Sequence, residues 1–128
     1  MSENEVAREI VDAPFHVHCA LGPGLLESAY ERILAYQLRK RGLRIAAQVR
    51  IPVVYDGVEF ERGFVADLIV NERVIVELKS VEKMATVHKK QLMTYLKLTI
   101  MRLGLLINFG ELLIRDGITR IVNGLTEE

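Results

Sequence analysis

The sequence predicts an α/β fold in which a mixed β-sheet is flanked by helices. Three observations carry that prediction: helical spacing of apolar residues as far as Gly42, extended β-branched runs from Ile45, and a return to helical spacing at Thr86. The 128 residues, half of them hydrophobic and 27% charged, suit a single domain over residues 1–128 with a core of its own. No internal repeat, low-complexity tract or linker divides the chain.

Residues Glu3–Leu21 read as a first helix, with Val6, Ile10, Val17 and Leu21 on one face. Pro14 lacks the N–H that would reach Ile10, so a kink or break near Ala13 is expected. Gly22-Pro23-Gly24 is a turn. A second helix covers Leu25–Arg41, turns Leu26, Tyr30, Ile33, Leu34 and Leu38 inward, and stops at Gly42. The period then becomes extended over Ile45–Tyr55, and Asp56-Gly57 is a tight hairpin turn. Val58–Val70 and Val74–Ser80 follow as strands around the loop Asn71-Glu72-Arg73. Thr86–Thr99 is helical, with Val87, Leu92 and Leu96 as its apolar positions. Leu103–Phe109 is a continuous apolar run, the pattern of a strand covered on both faces. Leu112–Val122 adds a last strand or hairpin.

Composition narrows the function classes. Seventeen basic side chains balance seventeen acidic ones, which weighs against a protein that grips nucleic acid by overall charge. A local basic strip combined with a bound cation remains compatible. The longest apolar runs are too short to cross a bilayer. The acidic N-terminus lacks the basic-then-apolar pattern of an export signal, and Cys19 is the lone cysteine. A reducing, cytoplasmic location is therefore expected.

Charges inside an apolar strand need a reason, because an unpaired buried charge is costly. Glu77 and Lys79 are two apart in Val74–Ser80 and share a face. Asp67 sits mid-strand in Val58–Val70. A two-residue turn at Asn71-Glu72 would send Asp67 and Glu77 to opposite faces. A three-residue loop sets Asp67 across from Glu77 and gathers all three charges, and that arrangement is predicted. Two carboxylates so placed raise each other's pKa unless a cation lies between them, and hard oxygen ligands suit Mg²⁺ or Mn²⁺. With a lysine beside a metal-bound water, such a set can hydrolyse a phosphodiester. An ordinary cross-strand ion pair on an exposed sheet face would show the same pattern.

Beyond these charges, Gly24-Leu25-Leu26-Glu27-Ser28-Ala29-Tyr30 resembles the signature of the GxxExxY proteins, a branch of the PD-(D/E)XK nuclease superfamily. Val17-His18, Leu21–Gly24, Ala66–Leu68, Val76–Lys79, the segment from His88 to Leu96, and Gly104–Gly110 also resemble that family, in the right order, over nearly the whole chain. The resemblance implies a restriction-endonuclease-like core with Asp67 and Glu77 as metal ligands. It further implies the Leu78 carbonyl as a ligand, Lys79 acting on the attacking water, and Glu27 as an additional acidic ligand. Gln91 and Tyr95 match a Q-x-x-x-Y element that follows the ExK strand, and His88 lies on the same helix row, so these three are the substrate-binding candidates.

Each of these residues also has a plainer role open to it. Glu27 can simply complement a helix N-terminus, Tyr30 can be a core aromatic with a bonded hydroxyl, and Gln91 and Tyr95 can form a buried polar pair. His16, His18 and Cys19 lie close in sequence, but no second cluster completes a zinc set. Arg39-Lys40-Arg41 and Arg44 close a helix, whereas Lys83, Lys89, Lys90 and Lys97 follow the ExK strand. Lys90 and Lys97 share a face that can track a phosphate backbone.

The leading expectation is a Mg²⁺- or Mn²⁺-dependent nuclease acting on DNA or RNA. Its rival is a non-catalytic nucleic-acid- or protein-binding assembly module that keeps the nuclease fold. An exposed apolar patch on the first helix or last strands would favour a homodimer.

Overall fold

The computed structural model describes residues 1–125. Helix α1 (Glu3–Leu21) opens with a reciprocal cap, in which the Ser2 hydroxyl accepts from the Glu5 N–H and the Glu5 carboxylate accepts from the Ser2 N–H, each at 3.2 Å. The expected break at Pro14 does not occur, and α1 runs through it. Ile10 and Ala13 are fully buried and Val17 nearly so, so packing on both sides of the proline outweighs one missing hydrogen bond. Leu21, expected inward, is 48% exposed. His18 takes the inward place at this end of the helix, bonding through Nε2 to the Glu111 carbonyl at 2.7 Å.

Helix α2 (Glu27–Lys40) buries Tyr30, Leu34, Ala35 and Leu38. Leu26 precedes its first turn with extended backbone, escapes the helical spacing and is 77% exposed, contrary to expectation. At the far end Gly42, with φ 85, lets its N–H reach the Arg39 carbonyl while the Leu43 N–H reaches that of Leu38. This double closure satisfies carbonyls that the helix would otherwise leave unpaired.

Strand β1 (Ile45–Tyr55) and strand β2 (Val58–Val70) form a long hairpin. Asp56 and Gly57 both have positive φ, the geometry that matches strand twist in a two-residue turn. The register shifts between Ile51 and Val53, at Pro52. Strand β3 (Val74–Lys79) follows the three-residue loop, with Val70 paired to Val74 as predicted. Helix α3 (Thr86–Thr99) then leads into strand β4 (Leu103–Asn108), which runs parallel to β3 and is buried along its length. A 3₁₀ turn at Ile114–Gly117 precedes strand β5 (Ile118–Val122). The last strand is thus shorter than the span expected from Leu112, and Leu112 and Leu113 are exposed.

The sheet order is β1-β2-β3-β4-β5, with the β3/β4 pair parallel and the others antiparallel. Two apolar clusters cover its faces. One joins α1 and α2 to Leu68, Val76, Leu78 and Leu105; the other joins α3, through Leu92 and Leu96, to Ala66, Ile75 and Leu106. Of the three apolar positions noted in α3, Leu92 and Leu96 are buried but Val87 is 51% exposed. Leu68 and Ile45 belong with the first cluster, whereas Ala66 and Val49 belong with the second. The hairpin therefore changes cores at Gln48 and Asp67, the point where β2 also parts from β3.

Candidate metal centre

The β2/β3 ladder ends at Leu68 and Val76, so Asp67 is not a ladder partner of Glu77 but the first residue beyond the paired region. Its side chain spans the gap. Asp67 Oδ2 accepts the Leu78 N–H at 2.8 Å, and the Asp67 N–H donates to Glu77 Oε1 at 3.3 Å. Each carboxylate thus grips the opposite strand and the two lie together, but not as the directly paired residues expected from the three-residue loop. Ile75 packs in the α3 cluster, so Glu77 and Lys79, at two-residue steps along β3, project on that side of the sheet.

Glu77 is buried, at 8% exposure, while Asp67 and Lys79 are half-buried. Burial, and then the negative charge of Asp67, push the Glu77 carboxyl up to about 8, so it holds a proton at neutral pH. Among the described residues no ion pair within 4 Å joins Lys79 to either carboxylate. Lys79 acts on Glu77 through its field alone, which favours the charged form.

Tyr95 of α3 stacks flat on Phe64 of β2, with ring centroids 3.7 Å apart. Burial raises the pKa of its hydroxyl, and the charges of Glu77 and Asp67 raise it further. Tyr95 therefore belongs to the electrostatic surroundings of the pair. Gln91 is exposed on the same helix, and His88 is half-buried with an Nδ1 that finds no hydrogen-bond partner among the described residues.

Glu27, the first residue of α2, lines a cleft of about 620 Å³ with Glu31, Gln48 and Asp67. Glu31 and Gln48 are the residues that reading the sequence missed. Glu31 lies one helical turn after Glu27, a spacing that was legible as an acidic row. Gln48 carried no signal, being one polar residue in a β-branched run. Its amide Nε2 donates to Glu31 Oε1 at 2.5 Å and to Asp67 Oδ1 at 3.3 Å. Glu31 is raised above its ordinary pKa, by burial first and then by the charges of Asp67 and Glu27, against the lowering effect of the Gln48 hydrogen bond.

Asp67 and Glu77 supply hard oxygen donors. Among the described residues no group of three His, Cys, Asp or Glu side chains converges as a ligand set. The pair fits Mg²⁺ or Mn²⁺ on the chemistry of its donors, since Mg²⁺ takes one or two carboxylates and keeps much of its water. It does not fit a structural zinc site, which needs four converging ligands. His16 pairs with Asp12 at 3.3 Å, His18 bonds to Glu111, and Cys19 is exposed. Tyr30 is fully buried against Phe109, and its hydroxyl ties together the Gly22 carbonyl and the Leu25 N–H. Arg41, expected only to close α2, crosses to Glu9 and Asp12 of α1 at 3.0 and 2.8 Å. A separate cavity of about 660 Å³ between α1 and β5 is lined by Val11, Phe15 and Ile114 among others and contains none of these site residues.

A family model described as the PD-(D/E)XK nuclease superfamily matches residues 4–121. No curated protein and no solved structure matches the chain. No helix among the described residues is long and apolar enough to cross a membrane.

Proposed function

The chain belongs to the PD-(D/E)XK nuclease superfamily, and from that premise we propose that it is a Mg²⁺- or Mn²⁺-dependent nuclease hydrolysing phosphodiester bonds in DNA or RNA. The single observation that carries this reading is the mutual grip of Asp67 and Glu77. Two carboxylates are held together at a break in the sheet, and burial together with the Asp67 charge raises the pKa of Glu77.

Asp67, Glu77 and the Leu78 carbonyl would hold the ion, whereas Glu27 lines the cleft beside Asp67 and does not converge with the pair among the described residues. When bound, the ion lowers the pKa of a water and shields the phosphate charge. Glu77 would have to be ionised to serve as a ligand, so ion uptake would be coupled to loss of its proton. Lys79 orients the attacking water with its ammonium group and can receive its proton when deprotonated. Gln91, His88 and Tyr95 on α3 contact the nucleic acid, with the exposed Lys90 and Lys97 following its backbone. The exposed lone Cys19 is in keeping with a cytoplasmic setting. Exposed Val11, Phe15, Leu112 and Leu113 give a surface of the kind a homodimer uses.

Calorimetric titration of Mn²⁺ and Mg²⁺ into wild type and Asp67→Asn, paired with cleavage assays on DNA and RNA, tests this. Saturable uptake lost in the variant, with metal-dependent cleavage, is the expected result. Uptake without cleavage would point to an enzyme that needs a partner for activity, and no uptake at all would transfer the reading to a binding module that keeps the nuclease fold.

A further inference from the structure

Gln48 has left-handed backbone, φ 52, in the middle of β1, although Ala47 and Val49 on either side pair regularly with Leu68 and Ala66. That conformation is disfavoured for a residue with a long side chain and no local hydrogen bond of its own. The register sets Gln48 across from Asp67, at the point where the hairpin changes cores. Its amide donates to carboxylates on two different elements, Glu31 of α2 and Asp67 of β2.

We propose that Gln48 is a positioning residue of the metal centre. Its amide clamps the Asp67 and Glu31 carboxylates together, and the left-handed backbone is what aims the amide at both. The proposal rests on the cation-binding reading of Asp67 and Glu77.

The chemistry of an amide suits this task. Ionised carboxylates only accept hydrogen bonds and repel one another, so in the absence of a cation a shared donor is needed to hold them together. A lysine or arginine here would neutralise the pair and weaken its demand for a cation. The amide has two N–H bonds and no charge, so it can bridge both acids and leave their charge for the ion. Asp67 is then tethered through both oxygens, Oδ1 to Gln48 and Oδ2 to the Leu78 N–H. Its carboxylate plane is set before any ion arrives, and outer hydrogen-bond partners that orient a ligand in this way raise metal affinity.

The test is Mn²⁺ calorimetry on wild type, Gln48→Gly and Glu31→Gln, beside thermal melts of the metal-free proteins. Glycine accepts φ 52 freely, so Gln48→Gly removes the amide while relaxing the backbone. The expected result is a metal-free melting temperature at or above wild type together with Mn²⁺ affinity reduced at least fivefold. Glu31→Gln reduces affinity in the same direction. Gln48→Gly binding Mn²⁺ as wild type does would overturn the proposal alone. A metal-free Gln48→Gly that melts well below wild type would overturn it too, since Gln48 would then serve the fold. Wild type taking up no Mn²⁺ would remove the cation reading, and this inference with it.

Discussion

Replacing Glu77 with glutamine should make the protein more stable at alkaline pH and unable to respond to metal. Burial and the Asp67 charge push the Glu77 carboxyl up from 4.5 to about 8. The unfolded chain loses that proton near the ordinary value. Between pH 4.5 and about 8 the native state therefore binds more protons than the unfolded state, and stability falls as pH rises. The slope approaches ~1.4 kcal/mol per pH unit, and across the window the loss is about 3–5 kcal/mol. Glutamine has the shape of the protonated acid. Its carbonyl can accept the Asp67 N–H that now reaches Glu77 Oε1, and its amide can donate to the Asp67 carboxylate. Wild type and variant should match near pH 5 in chelator and diverge steadily above it. At pH 9 the variant should melt about 10 °C or more above wild type, at roughly 3–5 °C per kcal/mol for a chain of this size. Mn²⁺ at a hundred times its dissociation constant should then restore about 2.7 kcal/mol to wild type alone. Denaturant unfolding followed by circular dichroism from pH 5 to 9, with and without Mn²⁺, measures all of this. Parallel pH profiles for the two proteins would refute the reasoning, because Glu77 would then titrate as an ordinary surface acid.

Lys79→Met should keep Mn²⁺ uptake yet slow cleavage by about 10²–10⁴-fold, the usual contribution of a group that handles the reacting proton; single-turnover assays at saturating metal would show it. Gly104→Ala in β4 places a Cβ 2.9 Å from the Leu92 side chain, so the α3 core must shift and unfolding free energy should drop by about 1–3 kcal/mol. Arg102→Met leaves the Glu3 carboxylate without the pair of hydrogen bonds it now accepts at 3.1 and 2.9 Å. The cost should be about 1–3 kcal/mol in urea denaturation at neutral pH. Glu3 is held below its ordinary 4.5 by its own backbone N–H and, against the opposing effect of burial, by Arg102. That stabilisation is present above pH 4.5 and lost as pH falls, so the gap between the two proteins should close in acid.

Local signals in the sequence accounted for most of the fold. The bounds of α1, α3, β1 and β2 follow from periodicity and turn chemistry, with Asp56-Gly57 and Gly42 acting where positive φ is needed. The pairing of Val70 with Val74 was legible because loop length decides register, but Asp67 meets Glu77 where that alternation breaks and the ladder ends. What escaped was set by tertiary context. Pro14 stays helical because buried neighbours hold it. Leu21, Leu26 and Val87 lie in the terminal turns of their helices or just before them, where spacing no longer dictates burial. The Gln48 clamp depends on a left-handed residue inside a strand, and no propensity marks a glutamine for that. Its partner Glu31 stood one turn from Glu27, but an acidic row on a helix is more often a solvated face.

Strand β1 is one edge of the sheet. An open edge of eleven residues presents unpaired N–H and C=O groups on which another chain could add a strand and begin to aggregate. Here Pro52 lacks a donor at the point where the register shifts, and Gln48 turns the backbone out of the extended conformation four residues earlier. The edge is thereby interrupted at two points along its eleven residues. A backbone turn that aims an amide at two carboxylates also guards the border of the sheet against strand-by-strand growth.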